Sequence, residues 1–482
     1  MSYTSLSFPV FIAAFFLLYY LLPKKYQKWV LLAGNYVFYM WWRPAFGALI
    51  LAGTLISYWV ALAYSKGALG RKKLWITLGV CYNLGVLFVF KYLDFFCSTF
   101  ARVLGLNYGH ELTLLLPVGI SFFTFSAAGY LFDVCKGKIE AEKNFLDFSV
   151  FVSFFPTIMA GPIGYARNFL PQLDGTKAFD LARVKRGILR FAWGMVKKMV
   201  VADTIAVIVN TVYADAANFS NGLILLAAAA YSMQIYFDFS AYSDMAIGTA
   251  QALGFSVMEN FDAPYLVASV KDFWKKWHIS LTSWLREYIY FPLGGSRCKK
   301  WRTYFNVMVV FAVSGLWHGA AFSFVVWGLL NGAYQVIGEI TLPARKKLRA
   351  ALRVRESSRV LWLWRCAVTF ALVTIAWVFF RAGSVAQGLY LVKRILTILT
   401  DGFGGFALGT LGLLKRQTIM LALYTAVFVA ADIFQAARKS LPALEETDFA
   451  YWGVILVLAL SVVFFGVYGR GFNPQDFVYF KF

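Results

Sequence analysis

Residues 306–340 read NVMVVFAVSGLWHGAAFSFVVWGLLNGAYQVIGEI, an almost unbroken apolar stretch with one histidine, His318, near its middle. Basic loops flank the stretch on both sides. These 35 residues, if helical at about 1.5 Å each, extend about 52 Å, which is short of two crossings of a hydrocarbon core about 30 Å thick. The sequence therefore predicts a re-entrant hairpin or a steeply tilted pair of helices, with His318 at or near its deepest point.

The rest of the chain has the same membrane character. Of its 482 residues, 60% are hydrophobic and 15% are charged, whereas soluble domains average about 45–50% apolar and about 25% charged residues. About ten to twelve apolar runs have the length of tilted transmembrane helices. No internal repeat or linker divides the chain. We therefore predict an all-α, multipass integral membrane protein in which residues 1–482 form one domain.

The net charge of +22 would suggest nucleic acid binding in a soluble protein. Here the lysines and arginines cluster between apolar runs, for example at 24–28 and 345–355. This pattern is typical of cytoplasmic loops that face an anionic leaflet. We expect membrane lipids as partners of these residues and no nucleic acid. The five cysteines are scattered without metal-ligand or disulfide spacing, so no metal site is predicted.

Residues 270–298 have a different residue pattern, with bulky apolar residues at helical spacing and basic residues on the other faces. Such a pattern predicts an amphipathic helix in the cytoplasmic membrane interface. Gly294 and Gly295 would end it. The apolar residues are Trp274, Trp277, Leu281, Leu285 and Ile289, and the basic ones are Lys271, Lys275, Lys276 and Arg286.

His318 is the strongest candidate for a catalytic residue. An ionisable side chain deep in a membrane segment is costly and indicates a functional site. Gly315 and Gly319 beside it allow a backbone or a substrate to approach closely. Burial favours the neutral imidazole that a general base needs. The alternative is a histidine that packs between helices and hydrogen-bonds a neighbouring carbonyl.

The other polar residues in apolar surroundings leave more alternatives open. His278 lies on the predicted interfacial helix, where a partly solvated histidine costs little free energy. It could therefore be catalytic, or it could have a packing role alone. Asp238 and Asp244 could line a polar tunnel, or one of them could mark a helix end. Trp274 and Trp277 could bind substrate or anchor the helix in the interface.

Seven motifs follow one another in an order and spacing that resemble the membrane-bound O-acyltransferase family, in the branch of the bacterial alginate O-acetyltransferases. They are residues 116–125, 159–163, 236–244, 259–265, 273–281, 288–297 and 315–320. Four positions depart from the usual family pattern. Ser126 replaces a glutamine, Lys275 and Lys276 replace an arginine pair, and Asn331 replaces a histidine. The exchange of arginine for lysine could alter how a phosphate or carboxylate is bound at these positions.

The resemblance implies a ring of tilted helices around a thin central zone with a catalytic tunnel. It implies that His318 is the catalytic histidine of the family and that His278 is the second signature histidine. The turn Pro292-Leu293-Gly294-Gly295 resembles the alginate-type branch more than the teichoic acid D-alanylation branch, which favours an acyl-CoA donor. Members of the alginate-type branch move acetyl groups towards extracytoplasmic polysaccharide, often with a separate extracellular acetyltransferase.

From this resemblance we expect a membrane O-acyltransferase of the bacterial cytoplasmic membrane that uses acetyl-CoA as a donor substrate and holds no tightly bound cofactor. His318 would act as general base, and Asn306 or a backbone amide beside Gly315 would stabilise the oxyanion. The alternatives are a D-alanyl-type transferase with an acyl carrier protein and a polysaccharide or lipid-linked sugar transporter. The expected substrate- or donor-binding residues are Asp238, Asp244, Trp274, Trp277, Lys275, Lys276, Arg286, Arg297, Asn306 and Trp317.

Overall fold

The computed structural model describes residues 1–67, 72–106, 108, 114–405, 407–437, 448–468 and 477. Within these residues the secondary structure is helical, and the only β-type pairing is an isolated bridge between Phe261 and Trp277. The predicted all-α fold class is confirmed. The chain forms two compact units, one of residues 1–193 and 242–259 and the other of 194–241 and 260–482. That residues 1–482 form one domain stays a prediction. The chain has three histidines, and one of them, His110, lies outside the described residues.

Among its described residues, the first unit contains ten α-helices or parts of α-helices ahead of residue 194, followed by the end of α12. They are α1 (Ser7–Leu21), α2 (Gln27–Met40), α3 (Ala45–Ser65), α4 (Lys72–Lys91), α5 (Leu93–Val103), α6 (Ile120–Cys135), α7 (Phe145–Ser153), α8 (Phe155–Ile158), α9 (Ala166–Phe169) and α10 (Leu181–Val196). The break between α7 and α8 is buried, and Asn35 accepts a hydrogen bond from the Phe155 amide there, so the interrupted backbone stays satisfied.

The second unit holds the remaining helices. They are α11 (Asp203–Ala214), most of α12 (Asn221–Ala252), α13 (Val270–Lys276), α14 (Ile279–Leu285), α15 (Lys300–His318), α16 (Phe322–Ile340), α17 (Leu342–Ala351), α18 (Arg359–Arg381), α19 (Val385–Leu396), α20 (Ile398–Asp401), α21 (Lys415–Ala436) and α22 (Asp448–Phe465). Two π-helical segments, Lys197–Ala202 and Arg286–Tyr290, interrupt this pattern.

Six of the described helices are long and apolar enough to cross a membrane, namely α3, α4, α12, α18, α21 and α22. The apolar helices α1 and α6 are shorter. The multipass membrane character is thus confirmed, while a total of ten to twelve spans stays a prediction.

The predicted hairpin is present as α15 and α16, which are joined by residues 319–321. His318 is the last residue of α15, at the tip. Glycines let the two backbones touch. A Cβ at Gly315 would collide with the carbonyl oxygen of Phe324, and one at Gly328 would collide with that of Phe311. These small residues fix where the helices cross and therefore where His318 is held.

The prediction of one interfacial helix over residues 270–298 is wrong. Helix α13 ends at Lys276, and His278 adopts a left-handed backbone with φ of 43° before α14 starts. Trp277 and His278 are fully buried in the protein. The cause is Asn260, whose carbonyl accepts from the Ile279 amide at 3.0 Å and thereby competes with a continuous helix.

Candidate active site

The two histidines that were singled out from sequence meet inside the second unit. The ring centroids of His278 and His318 are 6.4 Å apart, and the two residues are 0% and 2% exposed. Their backbones come from different places. His318 is carried to this point by the end of α15, whereas His278 is presented by the break between α13 and α14.

Aromatic rings enclose His318. The centroids of Trp317 and Trp327 each lie 4.9 Å from its ring, and that of Phe380 lies 5.2 Å away. Trp377 stacks behind Trp327 at 5.3 Å. Such a cage keeps water away from the His318 ring and packs it closely on several sides.

His278 is fixed by its backbone and by ring contacts. A positive φ is uncommon in a non-glycine residue and persists only where the surroundings impose it. Asn260 does so, because its side-chain oxygen also accepts from the hydroxyl of Ser280 at 2.7 Å. Phe239 packs edge-on against the His278 ring at 4.6 Å. Burial lowers the pKa of His278 to about 3, so this ring is neutral near neutral pH.

A cavity of about 600 Å³ lies along α15 and α16 in the same unit and is called the hairpin pocket below. Neither histidine is among its lining residues. Its outer part is lined by basic residues, and its inner part is lined by Trp274, Phe311 and Ser314. Along α15 the lining runs from Lys300 to Ser314, which corresponds to about 21 Å of helix. Ser314 lies one helical turn before His318, or about 6 Å along the axis. The basic lining residues are Lys271, Lys275, Arg286 and Lys300.

The tryptophans expected at the site take different positions. Trp274 lines the pocket, donates to the Asn331 side chain at 3.2 Å and packs on Trp327, which in turn contacts His318. Trp317 contacts both histidines. Trp277 instead packs between Phe261 and Trp377, behind the site. Trp274 therefore lines the pocket, Trp317 packs against both histidines, and Trp277 supports their surroundings.

The expected basic residues divide in the same way. Lys275 and Arg286 line the hairpin pocket, and Lys275 pairs with Asp272 at 2.7 Å. Lys276 pairs with Asp262 at 3.0 Å and does not line the pocket. Arg297 is exposed between the lining residues Ser296 and Cys298. The structure thus brings Lys275 and Arg286 to the pocket and leaves Lys276 outside it.

Asn306 does not fit the oxyanion role. Its amide nitrogen donates to the carbonyls of Leu293 at 3.1 Å and Gly295 at 3.2 Å, which holds the Gly294-Gly295 turn. His318 lies 12 residues further along the same helix, about 18 Å away. Asn306 shapes the edge of the pocket and is too far from His318 to stabilise charge there.

Asp238 and Asp244 both lie within α12 and belong to different ion pairs. The Asp238 carboxylate is 2.6 Å from the Lys198 amine, which also lies 2.9 Å from Asp203. In the first unit, Asp244 pairs with Arg190 at 3.1 Å. Neither carboxylate lines the hairpin pocket. Their contacts to basic residues on neighbouring helices indicate a role in joining helices.

Comparison with known proteins identifies the protein family of this chain. The model of the membrane-bound O-acyltransferase family matches residues 139–382, a range that includes both histidines and the hairpin pocket. The protein named "Probable alginate O-acetylase AlgI" of Pseudomonas putida is 35% identical over 98% of this chain and 98% of its own length.

The chain belongs to the membrane-bound O-acyltransferase family.

Two further relatives refine this result. The peptidoglycan O-acetyltransferase of Helicobacter pylori is 34% identical over 80% of this chain and 79% of its own length. The teichoic acid D-alanyltransferase of Bacillus subtilis is 30% identical over only 45% of this chain and 58% of its own length. This O-acyltransferase is thus more extensively similar to the O-acetylating relatives, as its motifs predicted.

Sequence reasoning did not single out three residues of this candidate O-acyltransferase site. Asn260 fixes His278, Ser314 lines the inner pocket and Trp327 packs on His318. Ser314 could have been found, because a residue four positions before His318 shares its helix face. Asn260 acts on Ser280, 20 residues later in the chain, and Trp327 contacts His318 from the other helix of the hairpin, so the local pattern shows neither contact.

Proposed function

We propose that this membrane O-acyltransferase takes an acetyl group from acetyl-CoA in the hairpin pocket and transfers it to a hydroxyl. The acceptor is an extracytoplasmic polysaccharide or a partner acetyltransferase, and the enzyme works in the bacterial cytoplasmic membrane. One observation carries the proposal. The pocket has a basic outer part, and its inner end reaches within one turn of a buried, caged histidine.

The outer part of the pocket suits the phosphates of CoA. Lys271, Lys275, Arg286 and Lys300 place several cations around one opening, and such clusters bind phosphate groups by charge-assisted hydrogen bonds. Further in, Val307, Val310 and Phe311 give an apolar wall along which a pantetheine arm can extend. This order of basic and apolar lining brings a thioester towards Ser314 and His318.

The chemistry is then acyl transfer with His318 as base. His318 removes the proton from the acceptor hydroxyl while the oxygen attacks the thioester carbonyl. The tetrahedral intermediate collapses with loss of the C–S bond, and the leaving CoA thiolate takes the proton back from His318. The aromatic cage keeps water away and so limits hydrolysis of the donor. We assign the hydroxyl of Ser314, in place of Asn306, as a hydrogen-bond donor to the oxyanion.

The acceptor class rests on the relatives. The names of the P. putida and H. pylori proteins specify O-acetylation of alginate and of peptidoglycan. Both are polymers that carry sugar hydroxyls, so we propose a glycan hydroxyl as the final acceptor here. An acyl carrier protein donor is the second candidate, because its phosphopantetheine arm would fit the same basic and apolar pocket.

The test is a measurement of CoA release and acetyl-CoA binding in lipid nanodiscs, with the wild type compared with His318→Ala. Release from the wild type alone, with equal acetyl-CoA binding by both proteins, supports the proposal. Failure of the wild type to bind acetyl-CoA, together with transfer from an acylated carrier protein, would overturn the donor assignment. A Ser314→Ala variant that lowers kcat with unchanged donor affinity would support the oxyanion role.

A further inference from the structure

Helix α17, Leu342–Ala351, follows the hairpin directly and has no buried residue. Arg345, Lys346, Lys347 and Arg349 lie on it, and no acidic residue occurs from Leu342 through Arg355. Arg349 pairs with Glu356 beyond the helix, whereas Lys346 and Lys347 make no ion pair with a described residue. The helix therefore presents unneutralised positive charge at the protein surface.

The same helix also carries an apolar stripe. Ala344, Leu348, Ala351 and Leu352 recur at positions i, i+4, i+7 and i+8, so they share one face. Leu348 and Leu352 are 61% and 65% exposed, so the described part of the protein leaves this face largely uncovered. A short helix with a basic face and an uncovered apolar face is typical of helices that lie in a membrane interface.

We propose that α17 docks on the anionic surface of the lipid bilayer and that this docking holds the opening of the hairpin pocket in shape. The second part follows from the lining, since Leu342 and Pro343 form part of the pocket wall together with Glu339 at the end of α16. This consequence for donor binding rests on the proposed function of the pocket, whereas the docking itself does not.

Two features favour lipid over an acidic protein as the occupant. Acidic side chains alone would neutralise the lysines without covering Leu348 and Leu352, whereas the interface of an anionic bilayer takes up both the basic and the apolar face. The helix also starts two residues after α16, which ends at Ile340. Since α16 belongs to the hairpin that the sequence predicts to enter the membrane, α17 would be tethered close to the bilayer surface.

Docking is tested by hydrogen–deuterium exchange of the full-length protein in nanodiscs of pure phosphatidylcholine and of phosphatidylcholine with 30% phosphatidylglycerol, a composition of about the anionic content that attracts basic segments. Amides of 342–352 should exchange at least about threefold more slowly in the anionic discs. The protection should be lost in Lys346→Gln/Lys347→Gln and kept in the control Lys24→Gln/Lys25→Gln, which removes the same charge elsewhere. Equal exchange in both discs, or protection only after an acidic carrier protein is added, would overturn the docking.

The link to the pocket is tested with Leu348→Ser/Leu352→Ser, which keeps every charge that could attract CoA. In anionic nanodiscs this variant should bind acetyl-CoA roughly threefold more weakly than the wild type, and in detergent the two should bind equally. Lost protection with unchanged acetyl-CoA affinity would overturn the link. A wild type that shows the protection but binds no acetyl-CoA would leave docking intact and would contradict the proposed function instead.

Discussion

The inner and outer parts of the hairpin pocket differ in how their residues are held. Beyond the inner end, which Ser314 lines, His278 and His318 are buried among aromatic rings. At the outer end, the side chains of Lys271 and Lys275 are more than half exposed and pair with Glu339 and Asp272 on the surface. Interactions in a low-dielectric interior are strong, whereas exposed charges are screened. Substitutions should therefore have large effects inside and small, additive effects outside.

The largest effect is expected at His318. His318→Ala removes the proposed base, so turnover should fall at least about a hundredfold, as is typical for loss of general base catalysis. The fold should survive, because a smaller side chain at the tip of α15 leaves the glycine contacts of the hairpin in place. CoA release and thermal unfolding in nanodiscs measure both quantities. Turnover near the wild-type level would remove His318 from the mechanism.

The second effect concerns the hairpin that positions His318. Gly315→Ala places a Cβ against the carbonyl oxygen of Phe324, so the helices must separate. Overpacking of this kind costs about 1–3 kcal/mol of the free energy of unfolding, and turnover should fall with it because His318 moves. Gly338→Ala on α16 is the matched control, since its Cβ would have only the Arg345 side chain at 4.0 Å. Equal melting temperatures for the two variants would contradict the close crossing.

The third prediction concerns acid stability. Because burial lowers the pKa of His278 from 6.5 to about 3, the unfolded chain binds this proton first as pH falls. The stability that neutral His278 contributes is present above pH 6.5 and is lost between about pH 6.5 and pH 3, by about 1.4 kcal/mol per pH unit. His278→Asn does not titrate and tolerates the positive φ. Unfolding of this variant should depend less on pH in that window, and identical pH profiles would show that His278 titrates normally.

The contrast between local and distant contacts also explains which features of the fold and the site could be predicted from the sequence. The hairpin was predictable, because Gly315, His318 and the apolar run lie together in one segment. The break at His278 was not predictable, since the Asn260 carbonyl that takes the Ile279 amide lies far earlier in the chain. Asn306 was assigned to the chemistry by residue type alone, and the rise of α15 places it well away from His318. Residue identity supplied the candidates, and contacts across the fold show where each of them lies.

The smallest effects are expected at the outer part of the pocket, where two adjacent lysines offer a matched pair. Lys275 lines the pocket, whereas Lys276 pairs with Asp262 outside it. Lys275→Gln should raise the Kd for acetyl-CoA about twofold to fourfold, in line with the small contribution of one exposed charge, and leave kcat unchanged. Lys276→Gln should leave both quantities unchanged. The loss in Lys275→Gln should shrink at high salt, because screening already weakens the wild-type contact. If Lys276→Gln weakens binding as much as Lys275→Gln does, acetyl-CoA senses only the general positive charge of the surface, and the lining of the hairpin pocket does not select its phosphates.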